Sequence, residues 1–437
     1  MRSTLHVVGQ GTVALLLLVV SAPVMSAQYA DIDGYSAAVN ARYENDPSFI
    51  LGNSLSGLGR SINTSYGSWG TLVSPNVFIS AHHWSPAVGH SLTFFASNDP
   101  SGPSITRTVI ASRRLGSSDI QIGVLDFSLP PEYQPFPFFN TPITSLNDFE
   151  SSALLDGDVF MVKRDTNASF QLENVAVGKN IAEHWMAPNT ISGIDQPLLI
   201  AVDDPSGSPF WVQYESIVQP YDSGAPVLME LNGELTIIGL NWYRFENLSI
   251  NWRKGRPASL NASGFSLVGD QATGIQTAID GFSIDGTAGY VTWMSLAFAG
   301  NDDWSETGPA IDFDLDGLNN FTEYAFGMDP QDPASASAVE SGFIEIGDNR
   351  FGTLQVVFRD DPQLLYSVKK NADLSGGSFI ELSYSGGVWD TADPASVAIH
   401  DQVDNGDGTW SLTLRATESL VEGQPSFLLL QAVAIPQ

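Results

Sequence analysis

The chain has 437 residues, 43% of them hydrophobic, enough for two or three domains with real cores. Its 18 basic and 49 acidic residues give a formal charge of -31, which repels nucleic acid and anionic membranes, argues against both as partners, and favours divalent cations. Cysteine is absent, which excludes disulfides, thiolate metal sites and a cysteine nucleophile, so packing alone must hold the fold.

Arg2, the apolar run Val13–Val20, and the small residues Ser26 and Ala27 after Pro23 predict a secretory signal peptide over 1–27, cleaved near Ala27. The apolar run is too short to cross a bilayer, and no later segment reads as a span. Residues 28–45 read as a polar lead-in. From 46 to 285, short apolar runs alternate with Gly, Pro, Asn and Ser clusters. The pattern predicts strands at Gly70–Val73, Val77–Ala81, Ser91–Ala96, Ile120–Leu125, Val159–Val162, Pro197–Val202, Val227–Leu231 and Glu234–Trp242, in barrels or a sandwich. A helical pattern follows at Gln271–Gly281, where Ile275 and Ile279 share a face.

Residues 286–331 read as a small helical unit. Trp293, Leu296 and Phe298 form a short amphipathic pattern, and a second helical run at Phe321–Phe326 ends at Gly327-Met328-Asp329-Pro330. Residues 332–341 are Ala/Ser-rich and read as a linker. Residues 342–437 return to a β pattern, with strands at Phe343–Ile346, Thr353–Phe358, Leu365–Val368, Ser378–Ser383, Trp410–Arg415 and Ser426–Ala434, the expectation being a small β-sandwich.

Acyl transfer from serine needs a neutral base for the hydroxyl proton, a carboxylate to orient the base, and backbone N–H groups for the oxyanion. Histidine titrates in the right range to be that base. Three segments supply these groups in the order His, Asp, Ser: Phe78-Ile79-Ser80-Ala81-His82-His83, then Ser118-Asp119-Ile120, then Tyr221-Asp222-Ser223-Gly224-Ala225-Pro226. His82 competes with His83, and Asp126 at the far end of the Asp119 strand reads as a turn residue. Asp-Pro-Ser-Gly at 99–102 and 204–207 reads as two plain turns. His90, His184 and His400 lack metal-ligand spacing.

These segments resemble the trypsin/chymotrypsin family. Ser80 and Ala81 match its small pair, His83 its base, Asp119 its orienting acid and Ser223 its nucleophile. Gln121 departs from the small or apolar residue usual there, and Tyr221 from a glycine. The resemblance implies a mainly β fold of two barrels and serine endopeptidase activity on protein or peptide substrates. It implies an oxyanion hole from the N–H groups of Ser223 and Tyr221, and a cleft along Gly239–Tyr243 involving Asn241, Trp242 and Tyr243. The pocket base falls at Ile217, so an uncharged substrate side chain is expected. Asp222 would pair with a freed N-terminus or with an internal substitute partner. The competing expectation is a binding or adhesion protein on the same fold, its oxyanion hole impaired by Tyr221.

Asp312-Phe313-Asp314-Leu315-Asp316-Gly317-Leu318-Asn319-Asn320-Phe321-Thr322-Glu323 fits D-x-D-x-D-G-x5-E. Calcium takes six to eight oxygens, here from Asp312, Asp314, Asp316, the Leu318 carbonyl, Asn320 and both oxygens of Glu323. The loop and its flanks resemble dockerin-like or thrombospondin type 3-like calcium modules, of EF-hand type, which implies a structural Ca2+. The stretch Tyr366–Leu374 resembles accessory β-domains of secreted bacterial proteins, which implies docking to a partner or a surface polymer, or a passive spacer.

Overall fold

The computed structural model describes residues 31–435, apart from 53–54, 64–66, 166–170, 190–194, 251–259, 336–338, 372–379, 386–387, 392–396, 418 and 420–426. The expected signal peptide lies outside the described residues. No helix among them is long and apolar enough to cross a membrane.

Six strands close the first barrel: β1 (Leu58–Ser61), β2 (Ser68–Leu72), β3 (Val77–Ala81), β4 (Ser91–Phe95), β5 (Ser104–Arg114) and β6 (Ile120–Leu125), in the order β1-β2-β3-β6-β5-β4. Closure runs through Gly59↔Phe94 and Arg60↔Thr93. Gly123 is required by close approach, because a Cβ there would meet the buried Phe78 ring at 2.3 Å.

The second unit departs from the expected second barrel. It is a seven-stranded sheet of β7 (Asp158–Lys163), β8 (Ala176–Ile181), β9 (His184–Met186), β10 (Leu198–Val202), β11 (Pro226–Leu231), β12 (Glu234–Leu248) and β13 (Leu260–Leu267), ordered β8-β7-β11-β12-β13-β10-β9. Its edges approach one another through Asn180 Nδ2 donating to Val202 O at 2.9 Å and Glu183 N–H to Ile200 O at 3.0 Å. Those are loop and side-chain bonds rather than a strand ladder, so the sheet curls without closing by strand pairing.

The stretch read as a polar lead-in is packed. It carries α1 (Ala37–Asn40), with Asn40 Nδ2 on Val177 O, and the fully buried Arg42, bonded to Phe95 O and Ser97 O. Two polar side chains with internal partners mimic a solvated segment in sequence. Farther along, α2 (Leu146–Ser151) is capped by Ser145, and α3 (Ala272–Gly281) buries Ile275 and Ala278.

Next come α4 (Ala288–Ala297), α5 (Trp304–Thr307) and α6 (Asn320–Ala325). The buried face of α4 is Tyr290 and Met294, whereas Leu296 is 74% exposed, a correction to the Trp293–Leu296 face. This region is bonded on both sides. Arg113 reaches Asp302 O and lies over the Trp304 ring, and Asn76 holds Asp285 Oδ1 at 3.1 Å. On the other side Tyr324 OH donates to Asp361 Oδ2 at 2.9 Å and Tyr366 OH to Ala325 O at 2.9 Å.

The remaining strands are β14 (Val339–Ile346), β15 (Asn349–Arg359), β16 (Leu364–Asn371), β17 (Ile380–Ser385), β18 (Val388–Thr391), β19 (Val397–Asp404), β20 (Thr409–Ala416) and β21 (Phe427–Ala434). They form two four-stranded sheets, β14-β15-β20-β19 and β18-β17-β16-β21. The rings of Phe358, Tyr366 and Trp389 meet between the sheets at 4.5–5.5 Å. β14 begins inside the stretch read as a linker. One apolar cluster runs from Ile120 in the barrel through Phe282, Tyr290 and Phe321 to Phe358, so the parts are not beads on a string.

Candidate active site

β3 pairs with β6 through Ala81↔Ile120, and His82 N–H continues the ladder to Asp119 O at 2.9 Å. This pairing sets the His82–Trp84 turn against Asp119. The Asp119 carboxylate then receives two bonds from one residue: His83 N–H to Oδ1 at 3.0 Å and His83 Nδ1–H to Oδ2 at 2.7 Å. The Asp119 side chain is 8% exposed and that of His83 42%, so the acid is buried and the imidazole reaches solvent. With its Nδ1 donating to a carboxylate, the neutral ring presents Nε2 as a base. His82 is diverted, because its Nδ1–H donates to Gln121 Oε1 at 2.8 Å. The departure at Gln121 thereby supplies a partner for the competing histidine.

Gln196 was not singled out from sequence. Its Oε1 accepts Asp119 N–H at 2.6 Å and its Nε2 donates to Ser266 Oγ at 2.9 Å, tying the aspartate to β13 across the two β units. No sequence motif marks such a bridging amide.

Ser223 lies half-buried in a turn between Tyr221 and Ala225. Asp222 N–H bonds Gln219 O at 3.1 Å, Gly224 N–H bonds Asn241 O at 2.9 Å, and Ala225 N–H bonds Asp222 O at 3.0 Å. Gly224 has φ 84° and sits so close to β3 that a Cβ would meet Ser80 Oγ at 2.7 Å and Ala81 N at 2.9 Å. The serine turn is thus packed on the residues that lead into His82 and His83. The Trp84 ring also faces the Tyr221 ring at 6.0 Å, and Trp69 Nε1–H reaches Tyr221 O at 3.4 Å.

Tyr221 adopts φ 76°, a left-handed conformation that costs a residue with a Cβ about 1–2 kcal/mol. A glycine there would be unstrained. Tyr221→Gly is therefore expected to be more stable than Tyr221→Ala by about 1 kcal/mol, both variants having lost the ring. Equal stabilities in denaturant titration would show that no strain resides at this position.

The cleft expectations need correction in part. Asn241 is fully buried with Nδ2 on Val162 O at 2.6 Å, so its side chain holds β7 rather than lining a cleft. Trp242 is half-buried; Tyr243 is 46% exposed and its ring lies tilted against that of Phe245, with centroids 4.7 Å apart. Ile217 is 3% exposed and borders a cavity of about 370 Å³ with Asp31, Asp33, Asp203, Glu215 and Arg244. The lining of that cavity is charged and includes no residue of the Ser223 turn or of the His83 segment. Burial pushes the Glu215 carboxyl up to about 8. The strings at 99–102 and 204–207 are turns: Asp99 Oδ1 accepts Ser101 N–H at 2.9 Å, and Ser208 N–H bonds Pro205 O at 2.7 Å.

No family model matches the chain, and no curated protein matches it. Among solved structures, two inactive mutants of the murine norovirus NS6 protease match, one with a C-terminal extension and one chimeric in its cleavage-junction residues. Each covers 48% of this chain, with 89% and 91% of its own length, at 14% and 15% identity and a TM-score of 0.26. At that TM-score the likeness carries no argument about activity.

The acidic loop gathers one carboxylate oxygen from each of Asp312, Asp314 and Asp316 within 4.8 Å of one another. Gly317, at φ 98°, turns the chain so that its N–H meets Asp312 Oδ2 at 3.0 Å. Glu323 is fully buried on α6. Among the described residues, no protein donor reaches five buried carboxylate oxygens of this loop and helix: Asp312 Oδ1, Asp314 Oδ2, Asp316 Oδ2 and both of Glu323. Burial, and then Asp314, Asp316 and Asp312, push Glu323 up to about 8. Leu318 N–H bonds Asp316 Oδ1 at 2.8 Å. Asn320 Nδ2 clamps Glu306 O and Gly308 O at 3.0 Å, leaving its buried Oδ1 without a donor. This donor set fits a hard divalent cation.

Proposed function

We propose that the chain is a secreted serine endopeptidase of chymotrypsin-like type. Ser223 Oγ attacks the peptide carbonyl, His83 Nε2 takes its proton and returns it to the leaving amine, and Asp119 keeps the Nδ1–H tautomer and orients the ring. The N–H groups of Ser223 and Tyr221 receive the oxyanion. The observation that carries this reading is the double grip of Asp119 on His83, at 3.0 and 2.7 Å, beside a Ser-Gly turn seated on Ala81. A structural Ca2+ would be held by Asp312, Asp314, Asp316 and Glu323, with Leu318 O and Asn320 Oδ1 completing the shell. It neutralises a cluster whose carboxylates otherwise repel. The two C-terminal sheets are accessory, packed on the helical unit and contributing no catalytic group.

The test is casein hydrolysis by the protein beginning at Gln28. Peptide release is expected from the native sequence and not from Ser223→Ala. Equal release from both would reject the reading, and none from either would favour the binding-protein alternative that the Tyr221 strain supports.

A further inference from the structure

β7 ends at Lys163 and Arg164 follows directly, in a chain with only 18 basic residues. Lys163 is fully buried, and Asp222 is 1% exposed. Lys163 Nζ donates to Ser216 Oγ at 2.9 Å and Ile217 O at 2.6 Å, and lies 3.8 Å from Asp222 Oδ2. Asp222 also accepts Arg164 N–H at 3.0 Å and Gln219 N–H at 2.9 Å. Burial pushes the Asp222 carboxyl up, and the Lys163 ammonium opposes it. The Arg164 guanidinium lies 5.5 Å from the Tyr221 ring centroid. One residue earlier, Val162 O takes Asn241 Nδ2–H, and Asn241 O takes Gly224 N–H. Residues 162–164 thus reach Tyr221, Asp222 and Gly224, the residues on either side of Ser223.

A buried ion pair is poor evidence of stabilisation, since a well-packed apolar replacement often does as well; its attested use is to specify one arrangement. Here the arrangement specified is the Ser223 turn. We propose that Lys163 is the positioning residue of the nucleophile: its ammonium locks Asp222, so the folded chain presents the Ser223 hydroxyl without a newly cleaved N-terminus. The inference rests on the reading of Ser223 as nucleophile. Asp222 has its cation from within the sheet, and an uncleaved chain is competent.

The experiment compares the full-length mature protein with Lys163→Met and with Lys163→Met/Asp222→Asn, which leaves no unpaired buried charge. A fluorophosphonate probe gives the inactivation rate constant and the probe's binding constant separately. Hydrogen exchange reports the amides of residues 219–226. Both variants are expected to inactivate about 100-fold more slowly, the scale of a misplaced reacting group, with probe binding little changed and faster exchange over 219–226. A tag left upstream of Gln28 is expected to leave the native rate unaltered. A folded double variant reacting at the native rate, or a rate that rises only after the tag is cleaved, would overturn the proposal. If the native protein takes no label, the nucleophile reading falls; faster exchange in the variants then still supports the clamp, and unchanged exchange removes it.

Discussion

Asp119→Asn is expected to lower kcat/KM about 10,000-fold on a peptide substrate. The reason is local. Both carboxylate oxygens accept from His83, one from the backbone N–H and one from ring Nδ1–H. An asparagine has one oxygen for those two donors. If it satisfies the backbone, its NH2 faces the ring, and the imidazole turns to the Nε2–H tautomer that cannot accept the serine proton. If it satisfies the ring, the His83 N–H is left facing a donor and the turn shifts. His82→Ala is the matched control, because His82 is already bonded to Gln121. It should leave kcat/KM within a few-fold of native. A loss of less than tenfold for Asp119→Asn, or an equal loss for His82→Ala, would show that the assignment of base and orienting acid is wrong.

Calcium at a hundred to a thousand times its dissociation constant should stabilise the folded chain by about 3–4 kcal/mol, which raises the melting temperature by about 4 °C for a chain of this length. The gain would arise because a divalent cation satisfies five buried carboxylate oxygens that have no protein donor among the described residues. Stripping the metal with a chelator should loosen the helical unit first. Arg113–Asp302 and Asn76–Asp285 would carry that loosening to the barrel, and Tyr324–Asp361 to the C-terminal sheets. Glu323→Gln removes the buried charge and should abolish most of the calcium response. Calorimetry with and without calcium checks both, and identical melting of chelated and calcium-loaded protein would refute the site.

Much of the strand order is readable in the residues. Val77–Ala81 and Ile120–Leu125 are strands over those bounds, since continuous apolar runs between turn formers leave little choice. β1 is missed because Arg60 and Ser61 are buried, Arg60 over the Trp69 ring, and β5 because its polar residues at Ser104–Thr108 and Ser112–Arg114 are exposed or half-buried and leave only Val109–Ala111 as a buried run. The same cause hides the packed lead-in: Asn40 and Arg42 look solvated and are bonded inside. His83, Asp119 and Ser223 stand in short motifs with a chemical reason for each residue type. Lys163 and Gln196 act through contacts 50 to 80 residues distant in the chain, which local pattern does not carry. The basic pair Lys163-Arg164 closing an apolar strand in so acidic a chain is the signal that points to one of them. The cleft positions Asn241–Tyr243 follow from distance along a family pattern, and the β12 irregularity between Asn241 and Tyr243 breaks that count.

The central claim is that a hydroxyl, an imidazole and a carboxylate from three distant segments act together. Its most direct measurement is mass-spectrometric mapping of the adduct formed by a fluorophosphonate at neutral pH. The account predicts one adduct per chain, on Ser223, absent in Ser223→Ala and strongly slowed in His83→Ala while His82→Ala labels normally. A native protein that stays unmodified, or that is modified at another serine, would contradict it.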